Sequence, residues 1–237
     1  MSALLNIPKY DWGNVESPWI GADLERWQVL LQGRAPVKYP AKSNVFWQDK
    51  DFSHIYIVAR GRVCISIFHA DGQQKQLFIA CPGAMIGEID CILSRPYATT
   101  ATTITKSELY AIPSKEVQRL FHSEEKLADL MLQYEARKNR LLIAQAAMLS
   151  FDRAEQRIAK TLLYLCEAYG RPVQDGVCIN VRFTCAELAS IVNTSRVTVN
   201  NVMLELVRTG TLAKAEGYYV VRRPQTLQGI AVEPMEA

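Results

Sequence analysis

The sequence predicts an α+β protein in three parts: an antiparallel β-barrel of jelly-roll type, a long helix, and a C-terminal winged helix-turn-helix. Three observations predict it. Short alternating apolar runs broken by turn residues fill 39–112, a helical stripe continues from 114 to about 150, and two short helical stripes flank a tight turn within 184–206. The expected parts are 1–112 for an N-terminal helix plus barrel, 113–151 for the long helix, and 152–237 for the helix-turn-helix domain.

Taken in order, Asp23 to Gln32 reads as a short helix with Leu24, Trp27, Leu30 and Leu31 apolar, and Trp12 and Trp19 before it read as packing residues. Strands follow at Phe52–Phe68 and Gln76–Ala80. Asp71-Gly72 is the hairpin signal between them, and Pro82-Gly83 marks a further corner. Pro113 stops the last strand, and Ser114 is the expected cap of the long helix, with a break near His122-Ser123. Leu127, Leu130, Tyr134, Leu141, Ala144 and Met148 recur three, four or seven apart, the spacing of a coiled-coil seam, so a homodimer through this helix is expected. Asp152-Arg153 breaks the stripe, and Ile158 to Tyr169 forms the next helix.

The segment Thr184 to Met203 is the most informative. Leu188, Ile191 and Val192 form one stripe, and Val199, Val202, Met203 and Leu206 a second, so the two helices can bury against each other. Ala189 is small where they approach, and Asn193 stands at the turn position that needs left-handed backbone. Ser195 caps the second helix. Its exposed face then carries Arg196, Val197, Thr198, Asn200 and Asn201, of which Arg suits guanine, Asn suits adenine, and Val touches only a thymine methyl. Thr184, capping the first helix, can hold a backbone phosphate. Gly217 between Leu212-Ala-Lys and Tyr218-Tyr-Val-Val makes a hairpin, the wing.

Composition narrows the function classes. A formal net charge of +3 neither demands nor excludes nucleic acid. No apolar run reaches a membrane span and no signal peptide is indicated, so no membrane partner and a cytoplasmic location are expected. Cys64, Cys81, Cys91, Cys166, Cys178 and Cys185 form no C-x-x-C pair, and His54, His69 and His122 are far apart, so neither a metal nor another cofactor is expected. No nucleophile motif appears, which points away from an enzyme.

The chain resembles the family of the cyclic-AMP receptor protein and the fumarate and nitrate reduction regulator, the CRP/FNR family. The resemblance rests on Val58-Ala-Arg-Gly61-Arg-Val, Gly83-x-x-x-Gly87-Glu88, the Asp152 hinge, Arg157-Ile-Ala and Ser195-Arg-Val-Thr-Val. It implies a cyclic-nucleotide-binding-like barrel that senses an effector, and a homodimer that binds a palindromic double-stranded DNA site, with RNA polymerase as a further partner. It also implies that Gly87, Glu88, Tyr97, Ala98 and Thr99, with Arg137 and Lys138 on the long helix, hold the effector.

Three departures refine this expectation. Tyr97 falls where the cyclic-AMP branch places its phosphate-holding arginine, so cyclic AMP is not the expected effector, and the first cysteine, Cys64, lies far from the N-terminal cluster of the iron-sulfur branch. The Tyr-Ala-Thr segment is closest in motif to the chlorophenol-responsive regulators of reductive dehalogenation, which implies a small aromatic or acidic effector. Val197 and Asn201 replace the family's Glu and Arg, which implies A·T-rich half-sites. The alternative is a thiol switch at Cys178, Cys185 or another cysteine that needs no small ligand.

Overall fold

The computed structural model describes residues 17–232, which form two compact units, 18–139 and 140–232, divided within one helix. The first unit contains β1 (Trp19–Ile20), a 3-10 turn at Leu24–Trp27 running into α1 (Gln28–Leu31), and strands β2 (Val37–Tyr39), β3 (Asn44–Phe46), β4 (His54–Arg60), β5 (Val63–Phe68), β6 (Gln74–Ala80) and β7 (Met85–Ile86). Then follow α2 (Glu88–Leu93), β8 (Thr100–Thr103), β9 (Ser107–Pro113), α3 (Ser114–Ser123) and α4 (Glu125–Phe151), the last of which crosses the division.

The strands make two sheets, ordered β1-β6-β5-β8-β3 and β2-β9-β4-β7, and every pairing is antiparallel except β1 with β6. Alternation explains the pairing, because Ile55, Ile57, Val63, Ile65, Ile79, Leu109 and Ile112 are buried in the core. The Asp71-Gly72 turn joins β5 to β6 as expected, with Gly72 at φ 87°. At the Pro82-Gly83 corner, Gly83 has φ 80°, and a Cβ there would lie 1.8 Å from the Ala22 carbonyl oxygen, so no other residue fits.

Two readings are corrected here. Ser114 does not cap α3: Pro113 holds that position, and the Ser114 amide donates instead to the Ser53 carbonyl at 3.0 Å. Of the stripe expected to meet a second copy, Leu127, Tyr134, Leu141 and Met148 are buried within the chain, while Leu130 and Ala144 are half-buried. Leu127, Met131, Tyr134, Lys138, Leu141, Gln145 and Met148 are all buried, and the Tyr134 hydroxyl donates to the Met85 carbonyl (3.1 Å) and accepts from its amide (3.0 Å). The opposite face of α4 carries Leu132 and Ile143, 70% and 62% exposed, with Ala136, Asn139 and Ala147 between and after them. Trp19 packs as expected, as part of β1, while Trp12 lies outside the described residues.

The second unit contains α5 (Ala154–Tyr169), β10 (Gly170–Val173), β11 (Gly176–Ile179), α6 (Cys185–Ile191), α7 (Arg196–Arg208), β12 (Leu212–Ala215), β13 (Tyr218–Val221) and α8 (Pro224–Val232). Its sheet runs β10-β11-β13-β12, all antiparallel. Leu188, Ile191, Val199, Met203 and Leu206 are buried with Ile158, Leu162 and Leu165 of α5, so the stripes read from sequence do form this core.

Candidate effector and DNA-reading sites

In the first unit, Gly87 is the N-cap of α2 and its backbone is left-handed (φ 80°); a Cβ there would stand 3.1 Å from the Tyr97 ring. The Tyr97 ring stacks on Phe46 at 4.2 Å between centroids, and its hydroxyl donates to the His54 carbonyl at 2.6 Å. Tyr97 is therefore a buried brace with its hydroxyl already engaged. The next amide, Ala98, donates to Asp90 Oδ1 at 3.1 Å, and burial pushes the Asp90 carboxyl above the usual range. Thr99 follows, half-buried, and joins neither contact.

Glu88 and Lys138 meet as a buried ion pair, with side chains 1% and 5% exposed. The ammonium also lies 3.4 Å from Glu135 Oε1, and 5.3 Å and 5.5 Å from the ring centroids of Phe78 and Tyr134. Burial lowers the Lys138 ammonium to about 7 and raises the Glu135 carboxyl to about 7. Glu88 Oε2 is buried with no hydrogen-bond partner. Two carboxylates thus face one cation, leaving an acceptor to spare. Sequence reading placed Lys138 here but missed Glu135, and the signal was available: positions 127, 131, 134 and 138 share one helix face, and 135 neighbours 138 on it. Arg137, one position before Lys138, is half-buried.

In the second unit, α6 opens with the predicted cap. Glu187 N donates to Thr184 Oγ1 at 3.1 Å while Thr184 N donates to Glu187 Oε2 at 2.6 Å, a reciprocal capping box. Asn193 has φ 54°, as the turn requires, and Thr194 N reaches back to the Ala189 carbonyl at 3.0 Å. Ser195 caps α7, accepting from Thr198 N at 2.9 Å, and Thr198 is half-buried. Arg196, Val197, Asn200 and Asn201 all lie exposed on the first turns of α7, and Val197 is 69% exposed.

The wing carries a contact that the sequence did not suggest. Arg182 stacks 4.9 Å from the Tyr218 ring and donates to the Glu216 carbonyl at 3.3 Å, bracing the turn at Glu216 and Gly217. All six cysteines are thiols; Cys178 and Cys185 are half-buried, whereas burial pushes Cys91 and Cys166 up to about 11 and 12. Among the described residues no group of His, Cys, Asp or Glu could hold a metal, and no helix is long and apolar enough to cross a membrane.

A strand-built unit with a buried charge cluster, joined through a long helix to a winged helix-turn-helix, defines a DNA-binding regulator with a sensing domain. Residues 36–124 match the cyclic nucleotide-binding domain and residues 156–230 the Crp-like helix-turn-helix domain. The chain is 29% identical over 195 residues to the CRP-like cAMP-activated global transcriptional regulator of Mycobacterium tuberculosis, covering 81% of this chain and 86% of that protein. It is 28% identical over 193 residues to the cyclic AMP receptor protein of Thermus thermophilus, with 81% and 86% covered. The fold is similar to that of CprK complexed with OCPA, with a TM-score of 0.73 at 18% identity, covering 90% of this chain and 99% of the other. The chain belongs to the CRP/FNR family of transcription regulators.

Proposed function

We propose that this regulator acts in the cytoplasm as a homodimer that binds palindromic, A·T-rich DNA sites under control of a small aromatic or acidic effector, with RNA polymerase as its further partner. The observation that carries the effector reading is the buried Glu88–Lys138–Glu135 cluster, which ties α4 to α2 and holds an unpartnered carboxylate oxygen. An aromatic compound with an acidic hydroxyl suits it: the O–H donates to Glu88 Oε2, and when its proton passes to that oxygen the oxyanion takes Lys138 while the now neutral Glu88 carboxyl releases it. Binding then trades one arrangement of α4 for another, which is how a ligand shifts a two-state equilibrium. Gly87, Tyr97, Ala98 and Thr99 shape the loop beside it and Arg137 adds positive charge, while Tyr97, standing where the cyclic-AMP branch has its arginine, disfavours a cyclic nucleotide.

The dimer forms through the Leu132, Ala136, Asn139 and Ile143 face of α4, because this is the exposed stripe on that helix. DNA is read by Arg196, Val197, Asn200 and Asn201, with Thr184, Ser195 and Thr198 at the phosphates. The test is selection from random duplexes by the purified full chain, thiols reduced, with and without hydroxylated aromatic acids. A recovered palindrome rich in A·T is expected, and Val197→Glu should shift the selected bases; an unchanged motif would sink the assignment of that residue. Sedimentation of Ile143→Glu should show a monomer.

A further inference from the structure

The guanidinium of Arg157, in the first turns of α5, donates to three backbone carbonyls at once. Its Nε reaches the Val192 carbonyl at 2.7 Å, Nη1 the Asp152 carbonyl at 2.5 Å, and Nη2 the Asn193 carbonyl at 3.3 Å. These acceptors come from two places. Asp152 is the first residue beyond α4, whereas Val192 and Asn193 are the C-terminal cap of α6 and the left-handed turn residue that follows it. The carbonyls at a helix end have no partner within the helix and carry its negative pole, so a cation there is doubly favoured. Only a planar fork with several donors can hold such a set; a lysine ammonium could satisfy it in part, without the fixed directions.

The turn that Arg157 grips leads straight into α7, which starts at Arg196, and Ser195 and Thr198 lock that first turn with their own hydrogen bonds. The place of the Asn193 carbonyl therefore sets the place of the first turn of α7. Asp152 is held a second time, by the nearly buried Lys160 at 2.6 Å from its Oδ2, so the end of α4 is fixed on α5 independently of the turn. We propose that Arg157 is the positioning residue that registers α7 against the end of α4, and that any displacement of that end reaches the helix-turn-helix through these three carbonyls. The proposal rests on α7 being the DNA-reading helix.

The experiment compares the full chain with Arg157→Lys and Arg157→Gln by amide exchange and by fluorescence anisotropy on a selected duplex and on a random one. Expected are faster exchange of the Val192 and Thr194 amides and of the first turn of α7, unchanged exchange across the β11–β13 pairing, and a 10- to 100-fold loss of affinity for the selected duplex. Affinity for the random duplex, set by phosphate contacts, should stay within about twofold. Uniformly faster exchange through the unit, unchanged exchange at the turn, or equal loss on both duplexes would each overturn the proposal. If selection yields no duplex, the DNA reading itself has failed, and the proposal then stands or falls on whether faster exchange spreads from Val192 to Val199 while the sheet stays protected.

Discussion

Two buried lysines, one in each unit, make opposite use of the same chemistry. Lys160 pairs with Asp152 at 2.6 Å, both about nine-tenths buried, and that pair is a latch beside Arg157. Lys138 pairs with Glu88 in deeper burial, but a second carboxylate stands 3.4 Å away and one Glu88 oxygen has no partner. A buried pair with one charge of each sign is complete; a buried cation facing two carboxylates has acceptor capacity left over. The difference teaches that burial alone does not set how completely a charge is satisfied; the count of donors and acceptors around it does.

The comparison can be broken most forcefully at Lys138. Lys138→Met strands Glu88 and Glu135, and should cost about 3–5 kcal/mol in chemical denaturation, with much of the loss recovered in the Lys138→Met, Glu88→Gln double variant. A loss below about 1 kcal/mol would mean that the cluster is open to water. Lys160→Met should cost about 3 kcal/mol, at the lower end because the Asp152 side chain keeps 10% exposure.

A pH series sharpens the contrast further. The folded-state carboxyl of Glu135 lies at about 7, above its ordinary 4.5. A raised acid contributes stability that is whole below 4.5 and is lost as the pH climbs through about 7. Glu135→Gln should therefore match the parent near pH 4 and gain on it as the pH rises through about 7. A difference in Tm that does not move with pH would contradict this. The smallest effect belongs to the exposed stretch of α7, where Ser195→Ala removes one cap bond and should cost about 1 kcal/mol.

The two sites were not equally legible. The helix-turn-helix could be read almost residue by residue, because a short turn between two helices constrains Ala189, Asn193 and Ser195 by steric and capping rules that act locally. The strands and their corners were legible for the same reason, in Asp71-Gly72 and Pro82-Gly83. What faces a stripe is not local. Leu127, Tyr134, Leu141 and Met148 announced a buried helix face, but their spacing is the same whether a second chain or the chain itself covers it. Lys138 shows the same limit, since a lysine on a helix ordinarily extends to water, and only the phase it shares with Leu127, Met131 and Tyr134 marks it as inward. Arg182 and Arg157 act on backbone carbonyls distant in sequence, which no pattern of side-chain types encodes.

The short strand β1 closes one edge of its sheet. Trp19 and Ile20 lie parallel to Ile79 and Ala80, and the Ile79 and Cys81 amides donate to the Pro18 and Ile20 carbonyls at 2.8 Å and 2.7 Å. They thereby occupy the outer rim of β6, which otherwise ends its sheet. A chain trimmed to begin at Gly21 would leave the Ile79 and Cys81 amides on that rim without these partners, an open edge of the kind that templates strand addition.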